Sequence, residues 1–322
     1  MEIQYVEPLK KAWERTKHIL FSPFDLGRWL TIAFAAWLAG LAGGGAGGGN
    51  PGLRFGPGRR MFFLPRHPWH PFQGRFEPGL WIPIAAVAVV LVLALLVLLL
   101  WLSSRGKFVF LDDVVRERGA VREPWRRFAE QGDSLFLWRL GFALVCLLVA
   151  GFLAAVVIGL AGGPWHLGFS SGRAIAATLF ATVALALFAL AVAAVSLILD
   201  GFIVPIMYAT GLKATEAWRQ FLPWLERYAG SFVFYGLFVL VLWIGVAAAV
   251  LTAGLFTCCI GLLVLAIPYV GTAILLPVYV AYRAYSLEFL AQFHPGFVVL
   301  PPLAPPAPDP PAGGEPPAPP HS

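Results

Sequence analysis

Residues 80–102 read LWIPIAAVAVVLVLALLVLLLWL. Coiled as an α-helix, a run of this length rises about 34 Å, and about 20 apolar residues are enough to cross a bilayer. Trp81 and Trp101 stand near its two ends, where interfacial indoles sit at a membrane. This stretch reads as a transmembrane helix, and the rest of the chain agrees with it. Of the 322 residues, 59% are hydrophobic and only 12% charged, with a mean hydropathy of +0.77. Soluble domains carry about 25% charged residues. The sequence predicts an all-α integral membrane protein.

Five further apolar runs fall at about 27–44, 136–161, 174–199, 232–253 and 260–282. With 80–102 they make six predicted spans inside a membrane domain over 27–294. The first run is the shortest and dissolves into GGGAGGG at 43–49. The last two are separated by a few uncharged residues around Thr257, Cys258 and Cys259, which implies a tight hairpin. The first 25 residues carry both charges and no apolar core, so an uncleaved first span is expected in place of a signal peptide.

Six spans put both termini on one side. Most of the 23 Lys and Arg fall on that side, before the first span and in the connections that precede the third and fifth. A Lys/Arg excess marks the cytoplasmic face, so both ends are expected there. The dissenting loop is 43–79, whose Arg54, Arg59, Arg60, Arg66 and Arg75 lie on the predicted outer side.

Two connections repeat a phrase: EPWRRF at 123–128 and EAWRQF at 216–221. In each the apolar residues recur at helical spacing. Val121, Trp125 and Phe128 form one stripe; Ala214, Trp218, Phe221, Leu222 and Leu225 form the other. A third case is YVEPLKKAWERTKHIL at 5–20, within an N-terminal segment over 1–26. Here Val6, Leu9, Trp13, Thr16 and Leu20 are expected to face one way and Lys10, Lys11, Arg15 and Lys17 the other. Helices of this kind lie in the membrane plane, with rings at the acyl boundary and cations towards anionic head groups. Trp13, Arg15, Trp125, Arg126, Arg127, Trp218 and Arg219 are therefore the expected surface anchors. The expected partners are the bilayer and its anionic inner-leaflet lipids, a membrane protein or a second copy of the chain, with no nucleic acid. The order surface helix, span, return span recurs three times, as an internal repeat would.

Chemistry is scarce. GGGAGGG lacks the Gly-Lys-Ser/Thr that completes a phosphate loop and reads as a linker. Cys146, Cys258 and Cys259 lie in or beside spans, where Cys behaves as a small apolar residue. His67, His70 and His166 share the predicted outer side, and Pro-Trp-His occurs in both loops (68–70 and 164–166). Three imidazoles are the minimum for a zinc or copper site, but the flanking residues read as interfacial aromatic loops. No metal or cofactor is expected. Asp112 and Asp113 are adjacent and would point apart on a helix, so they do not pair as acid and base. With no catalytic set at a readable spacing, an enzyme is not expected.

Asp200 is the acid that stands out, ending the fourth span in LILDGFIVPIMY. An ionisable residue at a span is a functional hypothesis by default; the alternatives are a helix cap or a pair with Lys213 or Arg219. The cores of the spans are read as free of charge, which weighs against proton-coupled transport. Pro268, Gly271 and Pro277 are candidate breaks in the sixth span, as transporter helices are broken. After the spans, PPLAPPAPDPPAGGEPPAPP closes a Pro-rich segment over 295–322, expected to be disordered.

Three stretches carry a resemblance: FSPFDLGRWLTIAFAAWLAGL at 21–41, DGFIVPIMYATGLKATEAWRQF at 200–221, and CCIGLLVLAIPYVGTAILLPVYVAYRAYSLEFLAQF at 258–293. Together they resemble an uncharacterised family of bacterial multi-span membrane proteins, along nearly the whole chain. The chain is also distantly similar to the membrane domain attached to some glycerophosphodiester phosphodiesterases. The resemblance implies a bacterial plasma membrane and transfers no catalytic residue. The expected role is a scaffold, assembly or lipid-organising component; the alternative is a transporter or channel for a small solute or lipid.

Overall fold

The computed structural model describes residues 3–42, 78–160, 172–257 and 260–301. Among the described residues every regular element is helical, and the helices sort into two regions. One is a set of long apolar rods; the other is a packed base into which their ends run.

The rods are α3 (Pro78–Val115), α5 (Ala129–Leu160), α6 (Gly172–Ile198) and α9 (Ala229–Phe256). Helix α6 continues through a π-helical turn, Leu199–Ile203, into α7 (Val204–Thr210). Four helices are long and apolar enough to cross a membrane: Pro83–Val115, Ala129–Gly159, Ile175–Thr210 and Ala229–Phe256. In the most apolar window of each, the share of residues buried within the chain is 0%, 0%, 6% and 11%. These rods hardly pack on one another, so their apolar faces are open to whatever surrounds them.

The base is closed. It gathers α1 (Val6–Phe21), α2 (Leu26–Gly40), the second half of α3, α4 (Arg122–Arg127), α7, α8 (Ala214–Arg227) and α12 (Leu276–Leu290). Its centre is aromatic. The Phe202 ring lies 5.5 Å from Phe221 and 5.1 Å from Phe232, and Tyr235 lies 4.6 Å from Phe289. Ring pairs at such separations attract beyond the area they bury. Local chemistry sets the boundaries. Asp25 caps α2 by accepting the Gly27 N–H at 2.8 Å, meeting one of the orphan donors of a helix start. Gly211 ends α7 at φ +73°, a left-handed position that suits glycine. The chain re-enters a helix two residues later, where Ser134 Oγ accepts the Ala214 N–H and the Glu216 carboxylate accepts that of Lys213.

Three expectations differ from this. The expected first span, 27–44, is a helix of 15 residues, short of the roughly 20 needed to cross. It lies along the second half of α3: Ser103 Oγ donates to Ala39 O, and Gly106 abuts Leu38 and Ala39. Apolar residues there serve the base. The expected sixth span, 260–282, is three helices: α10 (Ile260–Ala266), α11 (Pro268–Ile274) and α12. Helices α11 and α12 pass as a span only together, and they bend by 66°. Among the described residues four helices, or five with the bent pair, are long and apolar enough to cross, and the other expected spans are not shown. Third, the expected in-plane helices are partly taken into the base, while Val6, Trp13 and Leu222 of their stripes stay exposed. In α8 the buried residues are Ala214, Ala217 and Phe221, packed into the aromatic core. Arg15 in α1 is itself buried.

The ends of the described chain lie together in the base. Gln4 and Gln292 exchange backbone-to-side-chain hydrogen bonds, and Arg15 donates to Pro301 O at 2.9 Å. The tight hairpin expected after α9 forms around Thr257, whose Oγ1 accepts the Gly261 N–H at 3.0 Å. The loop 43–77, residues 161–171 and the tail from 302 lie outside the described residues, as do His67, His70, His166, Cys258 and Cys259.

Candidate functional site

Helix α3 does not stop where its apolar run stops. Past Leu102 it carries Ser103, Ser104, Arg105 and Lys107 and stays helical to Val115, its two hydroxyls satisfied by backbone carbonyls of α2 and of α3 itself. Ser104 Oγ donates to Leu100 O at 2.7 Å, the usual way a polar side chain is satisfied on a buried helix. This extension carries Lys107 inward, where it meets Asp200 from the π-helical turn in a buried ion pair. A π-turn widens the helix by one residue and is common at functional sites. Here the backbone carbonyl of Asp200 accepts Nη1 of Arg283 from α12 at 2.5 Å. Arg139 of α5 completes the group: Nη1 reaches Ser103 Oγ (3.3 Å) and Ser104 Oγ (3.0 Å), and Nη2 reaches Ala42 O (2.9 Å) just beyond α2.

All four charged side chains are buried: Lys107 is 7% exposed, Arg139 9%, Asp200 5% and Arg283 3%. Four helices thus bring three cations and one carboxylate together. Removing one partner of a buried pair typically costs 3–5 kcal/mol, because it leaves an uncompensated charge. The arrangement ties α2, α3, α5, α6 and α12 at one level of the molecule. The cluster carries a net positive charge, three cations around one carboxylate.

Asp200 is therefore neither a helix cap nor a partner of Lys213 or Arg219, as the sequence suggested; its partner is Lys107. Lys107, Arg139 and Asp200 sit in helices of spanning character, at the ends that run into the base and not in their uncharged middles. A signal for Lys107 did exist. It precedes Trp125 by the same 18 residues that separate Asp200 from Trp218.

Around this centre lies a polar periphery. Asp112 accepts the Tyr208 hydroxyl at 2.8 Å and pairs with Arg116 and Arg118, while Asp113 accepts the Ala120 N–H at 2.8 Å. The two acids have separate partners, as their adjacency on a helix predicts. Arg15 pairs with Glu288 at 3.1 Å.

The expected anchors divide. Trp13 is exposed; Trp125 is half-buried with its ring 5.9 Å from Trp101; Trp218 is half-buried and stacked on Trp138 at 5.4 Å. Arg126, Arg127 and Arg219 are exposed. Pro268 opens α11 and Pro277 lies in the first turn of α12, the two points at which the helix is interrupted. Gly271 allows the break to fold tightly, since a Cβ there would stand 2.2 Å from Leu265 O. Cys146 is a free thiol on α5. Among the described residues no group of His, Cys, Asp and Glu is placed to hold a metal.

Fold and site define an all-helical protein with membrane-span-like helices and one buried charge cluster at their ends. The chain belongs to the family of unknown function DUF7544, whose model matches residues 3–300. No curated protein and no solved structure matches it, so the expected likeness to glycerophosphodiester phosphodiesterase membrane domains gains no support.

Proposed function

We propose that this protein is a non-enzymatic component of a plasma membrane that organises lipid or assembles with a membrane partner, its base on the cytoplasmic side. One observation carries the reading: four long helices leave almost all of their apolar surface uncovered while the base below them is fully packed. A carrier closed around a solute path buries its spans against one another; these spans present surface outward. Supporting it, Arg122, Arg126 and Arg219 are exposed and make no ion pair among the described residues. Each such cation near an anionic leaflet contributes about 1 kcal/mol. The order of amphipathic helix, long helix and return helix, repeated from α4 and from α8, fits the same reading. So does the placement of Lys107 and Asp200 at matching distances before Trp125 and Trp218.

Native mass spectrometry of protein gently extracted from its own membrane tests this. A stoichiometric protein partner or a retained anionic lipid is the expected result; a bare single chain contradicts it. A second reading, transport of a small solute or lipid, is favoured by the Lys107–Asp200 pair at a π-turn beside a helix broken at Pro268 and Pro277. Liposome flux that disappears in Asp200→Asn would favour it over organisation.

A further inference from the structure

One face of α3, with Phe136 of α5 beside it, forms an open groove lined by Val90, Leu93, Ala94, Val97 and Trp101. Every side chain facing it is apolar apart from the indole of Trp101, whose Nε1 is already committed to Asp133 at 2.9 Å. The groove runs along about three turns of α3 and ends at Trp101. That end is rigid. The Trp101 and Trp125 rings meet edge to face, and the Arg105 guanidinium lies over both, 4.7 Å and 5.6 Å from their centres. Arg105 is neutralised by Asp133 at 2.7 Å, so its charge is spent within the chain.

The charge beyond it is not. Arg122 stands three residues before Trp125 on α4, hence on the same face, and Arg126 follows Trp125 directly. Both are exposed and unpaired among the described residues. Glu123, the acid nearest them in sequence, is engaged by Arg116 and Arg118. An open apolar groove thus ends on a fixed aromatic floor, and two uncommitted arginines flank Trp125 of that floor in the chain.

We propose that this groove seats one anionic phospholipid, its acyl chain along Val90–Trp101 and its phosphate against Arg122 and Arg126. The inference rests on the lipid-organising reading and gives it a place. An aromatic floor at the interface suits the ester region of a lipid, and arginine matches phosphate with two parallel hydrogen bonds. A second copy of the chain would leave these cations without a counter-charge at the groove's end, whereas a phospholipid fills both the apolar and the charged parts.

The test uses full-length protein reconstituted in vesicles of equal phosphatidylglycerol and phosphatidylcholine, then analysed by native mass spectrometry. Wild type should retain one phosphatidylglycerol per chain. Ala94→Trp fills the groove and should cut that occupancy at least fivefold, while Leu147→Trp, on an exposed face of α5 outside the groove, should leave it unchanged. Arg122→Gln with Arg126→Gln should lower the preference for phosphatidylglycerol about 25-fold, at about fivefold for each cation. If wild type retains phosphatidylglycerol and Ala94→Trp behaves like Leu147→Trp, the groove assignment falls and the broader reading stands. If wild type shows no preference for phosphatidylglycerol, the groove assignment and the lipid-organising branch of the reading both fall, leaving assembly with a protein partner.

Discussion

The base and the spans are built from the same apolar alphabet and behave in opposite ways. In the base, Phe108, Phe202, Phe221 and Phe289 are completely buried, and charges are paired or hydrogen-bonded. In the spans, Leu147, Leu148 and Leu190 are about two-thirds exposed or more, and glycines such as Gly151 have nothing nearby. The difference teaches that hydrophobicity alone does not say what a residue packs against. A side chain in the base adds to folding by leaving water and filling space. One in a span gains nothing from a neighbouring helix that lipid does not already offer.

The largest expected effect falls on the buried ion pair. Asp200→Ala leaves Lys107 uncompensated and should destabilise the protein by roughly 3–5 kcal/mol, read as a drop in thermal unfolding temperature in detergent. Lys107→Met combined with Asp200→Leu should recover most of the loss; failure to recover would mean that the pair is not the reason. Next come matched truncations. Phe202→Ala should cost roughly 3–5 kcal/mol, whereas Leu147→Ala should stay within about 0.5 kcal/mol. Equal losses at the two sites would erase the distinction between the regions.

Glycines give a finer contrast. A Cβ on Gly106 would meet Ala39 N and the Leu38 side chain at 2.8 Å, so Gly106→Ala should cost about 1–3 kcal/mol through overpacking. Gly151→Ala, in open surroundings, should be neutral or slightly stabilising through helix propensity. The smallest effect concerns the rim. A hydrogen bond from Arg118 holds the Glu123 carboxyl below its usual range. A depressed folded-state value means the contribution is present above the unfolded pKa and lost as pH falls through the folded one. Glu123→Gln should flatten the acid limb of the stability profile only slightly, since exposed pairs contribute little. A large change would place Glu123 in the core network.

The four long spans were legible because a charge-free run of twenty or more residues has few soluble uses. The hairpin at Thr257 and the interruptions at Pro268 and Pro277 were legible from turn and proline chemistry. The stripes on α4 and α8 were legible too, though not what they face: an amphipathic pattern reports a boundary between apolar and polar surroundings, and a protein core and a bilayer look alike from one side. The same ambiguity concealed α2, whose apolar run reads as a span until its 15 residues are seen against α3. Arg15 was placed on the wrong side because its partner, Glu288, lies at the other end of the chain. Lys107 was read as part of a connection, since nothing at Leu102 says that the helix goes on. Asp200 was singled out but given the wrong partners, because 93 residues separate it from Lys107.

The most direct test of the division between base and spans is labelling by a photoreactive carbene precursor dissolved in the lipid, with the protein in vesicles and the modified residues mapped by mass spectrometry. Dense labelling across 84–101, 141–159, 175–198 and 236–256, with protection of 103–115, 199–207 and 276–290, is the predicted pattern. Labelling of the base, or protection of all four spans in the protein alone, would contradict it.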